Sequence, residues 1–139
     1  MDVLSHGRAC AILNPYYTVF FARDIQGQLR TIGPIFKETG YIDEPLKGLR
    51  GRELGEAVAE GMINFNRDLG FPTTLKEAGV TEEHLRWMLE AAEDPQLKMK
   101  LLNMPTPLDP ERGDIDRYMR GVLEAAFTGD FGSIKTMER

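Results

Sequence analysis

Gly51-Arg52-Glu53-Leu54-Gly55-Glu56-Ala57-Val58-Ala59-Glu60-Gly61-Met62-Ile63-Asn64-Phe65-Asn66-Arg67-Asp68-Leu69-Gly70 is the stretch that decides the fold class. Leu54, Ala57, Val58, Gly61, Met62 and Phe65 recur at spacings of three and four, which puts them on one inner stripe of an α-helix. Gly61 costs up to about 1 kcal/mol relative to Ala in a helix interior, so its presence suggests the close approach of another backbone. Gly70 suits the turn that ends the helix.

Outward from this helix the same spacing recurs, whereas the strict alternation of a half-buried strand is missing over any useful length. From Arg8 to Ala22 the apolar residues Ala9, Ile12, Leu13, Tyr16, Tyr17, Val19, Phe20 and Phe21 fall on every side, as in a helix buried all round or lying at an interface. Pro15 predicts a bend or restart near Leu13, because it lacks an N–H and its ring crowds the preceding turn. Ile25, Leu29, Ile32, Ile35 and Phe36 predict a second helix, made irregular by Gly33-Pro34 and ended near Gly40. Asp43 to Gly51 punctuate a connection.

Toward the C-terminus, Thr81 is placed to cap a helix whose inner stripe is Leu85, Met88, Leu89 and Ala92. Asp94-Pro95 starts a short helix that stops by Asn103, and Met104 to Gly113 form a loop. Asp114 is placed to cap a last helix with Ile115, Met119, Val122, Leu123 and Ala126 on one face and Gly129 past its end. The expected fold is all-α, a compact bundle of roughly five to seven helices forming one domain over residues 1–139.

Composition excludes several functions. The net charge is -5, from 17 Lys plus Arg against 22 Asp plus Glu, and the basic residues are scattered, so nucleic acid and anionic membranes are not expected partners. The most apolar window, Ala9 to Ala22, is broken by Asn14 and Pro15 and is shorter than the roughly 20 residues of a membrane-spanning helix. With Cys10 the single cysteine, neither an intrachain disulfide nor a cysteine cluster for zinc can form. Together with an N-terminus that lacks a secretory pattern, this leads us to expect a cytoplasmic protein.

Few residues can carry chemistry. The two histidines are His6 and His84. His84 lies in Thr81-Glu82-Glu83-His84, the first turn of a capped helix, which is the ordinary setting of a solvated polar face. His6 directly precedes Gly7 and the all-apolar helix, so its imidazole stands at the rim of a dry interior, a placement that suits a metal ligand presented into a cleft. The competing reading makes His6 part of a frayed tail. A helix beginning early would place Asp2 and His6, and His6 and Cys10, four residues apart. Cys10, inside an apolar run, reads as core, and so does the aromatic group Tyr16, Tyr17, Phe20 and Phe21, although that group could also wall a pocket.

The segment Ser5-His6-Gly7-Arg8-Ala9-Cys10-Ala11-Ile12-Leu13-Asn14-Pro15-Tyr16 resembles the His-Gly segment of the iron-containing, or group III, alcohol dehydrogenases. The resemblance continues through Leu69-Gly70-Phe71-Pro72-Thr73-Thr74-Leu75, Ala78-Gly79-Val80-Thr81-Glu82-Glu83-His84-Leu85, Leu102-Asn103-Met104-Pro105 and Ala125-Ala126-Phe127-Thr128-Gly129-Asp130, in the family's order and over almost the whole chain.

The resemblance implies a C-terminal, dehydroquinate synthase-like helical domain that packs beside an N-terminal nucleotide-binding α/β domain. It further implies a divalent metal, iron or zinc, held by one Asp and three His, and an NAD(P) cofactor that accepts the hydride. One of those four ligands falls in this chain, on His6. The resemblance supports no such role for Cys10 or His84. Because the chain begins five residues before His6, the nucleotide-binding half and the other ligands are expected to be missing. The isolated chain is then expected to be inactive and to bind neither metal nor NAD(P) tightly.

The main functional expectation is the metal-side domain of an alcohol or aldehyde oxidoreductase whose partner is that missing half. The alternative is a non-catalytic helical interaction or remnant module of a truncated gene. A surface built to meet another domain should be apolar, so a homo-oligomer is expected, with Tyr16, Tyr17, Phe20 and Phe21 as candidates for the covered face.

Overall fold

The three-to-four spacing folds as helix along the chain. A computed structural model describes residues 4–137 and contains, among them, six α-helices and no strand. These are α1 (His6–Phe21), α2 (Gln26–Glu38), α3 (Gly51–Asp68), α4 (Glu82–Ala92), α5 (Lys98–Leu102) and α6 (Arg120–Thr128), the last continuing a π-helical turn over Ile115–Met119. No helix among the described residues is long and apolar enough to cross a membrane.

The central helix is α3, and both α1 and α2 pack chiefly against it, while α1 also lies against α6. This position explains why α1 is apolar all round. Ile12, Tyr16, Val19 and Phe20 join Leu75, Leu108, Val122 and Leu123 in the main core. A smaller core of Ala22, Leu29, Leu54 and Val58 fills the space between α2 and α3.

Two of the four aromatic residues expected on an association face, Tyr16 and Phe20, are therefore unavailable to one. Tyr16 and Phe20 are 1% and 4% exposed, covered from within the chain, while Tyr17 and Phe21 are half-buried against the same core. Phe131 packs edge-on to Tyr16 at 5.7 Å between ring centres, and Tyr118 lies 6.1 Å from Phe20.

Pro15 does not make α1 restart. The carbonyl of Ala11, which an N–H at position 15 would have bonded, instead accepts from Asn66 Nδ2 of α3 at 3.0 Å, so the polar group left over by the proline is satisfied from the neighbouring helix. The second helix is likewise unbroken through Gly33-Pro34, although Ile35, one of its apolar residues at helical spacing, is 58% exposed.

The glycines mark tight crossings. A Cβ on Gly55 would overlap the Cβ of Ala22, so the end of α1 and α3 approach as closely as they do because position 55 has no side chain. At Gly61 the close neighbours are side chains, Ile42 at 2.8 Å and Phe36 at 3.2 Å, and not the backbone that the sequence suggested.

Two corrections concern the last helix. Asp114 does not cap it; the carboxylate accepts from the backbone N–H of Asp109 at 2.8 Å and so closes the preceding loop. The helix starts with the wider π turn, then ends as expected at Gly129, whose φ of 89° is the left-handed conformation that glycine adopts without strain. Beyond it, residues 131–136 fold back over α3 and α6. Arg52 of α3 donates to the carbonyls of Phe131 at 2.7 Å and Ile134 at 2.5 Å, and Gly121 leaves room for the carbonyl of Ser133.

Candidate metal-ligand site on helix α1

His6 occupies the first turn of α1, with Ser5 in an extended conformation ahead of it and the first helical bond running from the Ala9 N–H to the Ser5 carbonyl at 3.0 Å. Its side chain is exposed, and the helix is assigned from this residue onward. The early start also brings about the spacing of four anticipated for His6 and Cys10. His6 Nε2 lies 3.6 Å from the half-buried Cys10 Sγ. Asp2, the other residue four positions away, lies outside the described residues.

His84 is held elsewhere for a structural reason. Thr81 Oγ1 accepts from the His84 N–H at 3.3 Å, and His84 Nδ1 accepts from the Thr81 N–H at 3.0 Å, a reciprocal capping box that satisfies two N-terminal donors of α4. The imidazole also packs edge-on to Trp87 at 5.2 Å.

His6 stands on the same stripe of α1 as Ala9 and Leu13, by the spacing of three and four. Ala9 and Leu13 form one wall of an apolar groove of about 310 Å³ whose other wall is His84, Trp87, Met88 and Ala91 of α4. Trp87 is 52% exposed beside it. Sequence reasoning missed this groove, since nothing in the periodicity pairs α1 with α4; the one available signal was Trp87, an indole at an outward position on an amphipathic helix.

The aromatic group of α1 does not line it. The Tyr16 hydroxyl donates to the Thr73 carbonyl at 2.9 Å, and burial, with Glu77 nearby, pushes its ionisation up to about 12. Burial does the same to Tyr17. Both are neutral core phenols.

Three or more ligands are usual for a resident metal ion, and among the described residues no group of three His, Cys, Asp or Glu could hold one. The donor set found here, one imidazole with one thiol beside it, therefore does not by itself fit a resident iron.

No curated protein and no solved structure matches the chain. The C-terminal domain model of the Fe-containing alcohol dehydrogenase family matches residues 3–117, from just before His6 through α1 to α5 and into the π-helical turn. That match covers well over half of the chain, its all-helical architecture agrees with the expected domain, and the chain accordingly belongs to the Fe-containing alcohol dehydrogenase family, in the part that forms its C-terminal domain.

Proposed function

We propose that this chain is the metal-side domain of an iron-containing, NAD(P)-dependent alcohol dehydrogenase, and that His6 supplies one ligand of a divalent iron or zinc ion. The reading is carried by one observation: within a family match over residues 3–117, an exposed imidazole stands in the first turn of α1, on the stripe that borders the apolar groove. When bound, the metal supplies Lewis-acid polarisation of the alcohol, and the nicotinamide takes up the hydride.

The chain's own part is positional. Helix α1, fixed between α3 and α6, holds His6 in place, and the groove offers an apolar wall to the carbon chain of a small alcohol or aldehyde. In this reading the nucleotide site belongs to a separate N-terminal domain and the remaining ligands lie outside the described residues, so the isolated chain is inactive.

Alcohol-dependent reduction of NAD and NADP tests this reading. We expect no turnover from the chain alone with ferrous iron or zinc, and turnover once an N-terminal half from the family is added. His6→Ala should lower the restored rate by more than the roughly 10–100-fold typical of losing an outer partner of a metal ligand. Restored turnover that His6→Ala leaves untouched would refute the assignment of His6; turnover by the chain alone would refute the division of labour. If no family half restores turnover, the non-catalytic helical module is the better reading.

A further inference from the structure

We propose that the groove between α4 and α6 is a docking surface for a basic amphipathic helix of another protein. Charge distribution is the first ground. Residues 82–94 carry Glu82, Glu83, Glu90, Glu93 and Asp94 against the single Arg86, so this stretch has a net charge of -4 in a chain whose total is -5. Most of the acidity of the molecule is therefore gathered on α4 and the turn after it.

Shape is the second ground. Glu82 and Glu83 at the start of α4 share a groove of about 950 Å³ with Phe127 and Thr128 at the end of α6. The groove continues past Arg86, Leu89 and Arg120 into a narrower recess of about 210 Å³, where Glu90 and Glu93 lie across from Ile115 and Asp116 of the π turn. The two walls thus run antiparallel and open toward the start of α4. Leu85 with Leu89, and Leu123 with Phe127, are each four residues apart, so they form two ridges with a channel between them. A third helix seats its own apolar side chains in such a channel, whereas an extended peptide needs a strand edge, and none exists among the described residues. A helix about 10 Å across with a pitch of 5.4 Å occupies about 420 Å³ per turn, so the wider groove takes up about two turns.

The rim sets the sign of the partner. Arg86 is engaged with Glu83 at 3.6 Å and Arg120 with Asp116 at 2.6 Å. Glu82, Glu90, Glu93 and Glu124 are exposed and make no ion pair among the described residues. The carbonyls at the end of α6 add partial negative charge to the open end. Leu85, Leu89 and Leu123 are only 3–8% exposed, so charge outweighs apolar area here, and lysine or arginine along both edges of the incoming helix is the feature the surface selects. Neither His6 nor the groove beside α1 takes part, so the proposal is independent of the dehydrogenase reading.

Fluorescence anisotropy with the full chain tests the surface. Isolated helices shorter than about 12–15 residues are marginal in water, so the probe is a labelled peptide of about 18 residues with leucines on one face and lysines along both edges. A second peptide carries the same residues in an order that leaves no apolar face. The groove variant is Glu82→Lys with Glu124→Lys. Its control is Glu38→Lys with Glu44→Lys, an equal change of charge at exposed positions that line neither part of the groove. Circular dichroism shows that each variant keeps the helical fold. At about 0.1 M salt, where charges act over about 10 Å, we expect saturable binding to the wild type and a loss of less than about threefold in the control. In the groove variant two attractions become repulsions, and binding should weaken about tenfold or more, as it should for the reordered peptide. No binding by the wild type would overturn the proposal. So would an equal loss in the two variants, which would mean that net charge alone attracts the peptide, or equal binding of the two peptides, which would mean that any polycation serves. None of these outcomes bears on whether an N-terminal half restores alcohol turnover.

Discussion

At the scale of single residues, His84 shows how a structural role can mimic a functional one. Its ring nitrogen and the Thr81 hydroxyl close the two ends of one capping box, 3.0 and 3.3 Å long. Removing an N-cap side chain costs about 1 kcal/mol, so Thr81→Ala should destabilise the chain by that amount in urea unfolding. His84→Ala should cost about the same or less. His84→Gln should recover most of the loss, because a glutamine at this position can reach back to the same N–H. If His84→Gln were as unstable as His84→Ala, the imidazole would hold α4 through Trp87 and not through the cap. The sequence disclosed the Thr81 cap, which follows from position, but it read His84 as a solvated face, whereas the half-buried ring closes the cap and packs on Trp87. It did not disclose that Asp114 serves the loop before it, because a carboxylate's choice between the N–H groups ahead and behind depends on how the Met104 to Gly113 segment folds back.

Among the elements, α1 was the most legible in kind and the least in role. Its apolar circumference predicted burial on all sides, and α3 and α6 provide it. The same pattern also predicted an association face, from which Tyr16 and Phe20 are withdrawn because residues 131–134 and the π turn before α6 cover them. Such long-range cover leaves no local mark in a sequence. The effect of Pro15 was equally hidden: the chain chemistry predicts a lost hydrogen bond, and only the packed structure reveals Asn66 supplying a substitute.

The burial of α1 has a consequence in alkali. Both Tyr16 and Tyr17 have their ionisation pushed from 10 up to about 12 by burial. A phenol that ionises less readily in the fold than in the unfolded chain stabilises the fold while it is protonated, so the contribution is complete below pH 10 and is lost as pH rises toward 12. Spectrophotometric titration should accordingly show Tyr16 and Tyr17 forming phenolate only near pH 12 and together with loss of helical circular dichroism. Ionisation of all tyrosines near pH 10 with the fold intact would contradict this account of α1.

For the molecule as a whole, the family resemblance and the cooperative unit have different boundaries. The family match ends at residue 117, yet the core continues past it: Met119, Val122, Leu123 and Ile134 are between 0% and 7% exposed. Burying a side chain of this size contributes about 1.5–3 kcal/mol, so the four together are worth roughly 6–12 kcal/mol, against a total stability of about 5–15 kcal/mol for an ordinary domain. The Arg52 bonds to Phe131 and Ile134 would be lost as well, leaving a guanidinium on α3 without those partners. A chain cut after Arg117 should therefore not reach the native state: its circular dichroism would retain some helix, without a cooperative thermal transition, and it would bind a hydrophobic dye. A sharp transition within a few degrees of the full chain would mean that α3, with α1 and α2 packed against it, forms an independent folding unit and that α6 merely rests on its surface.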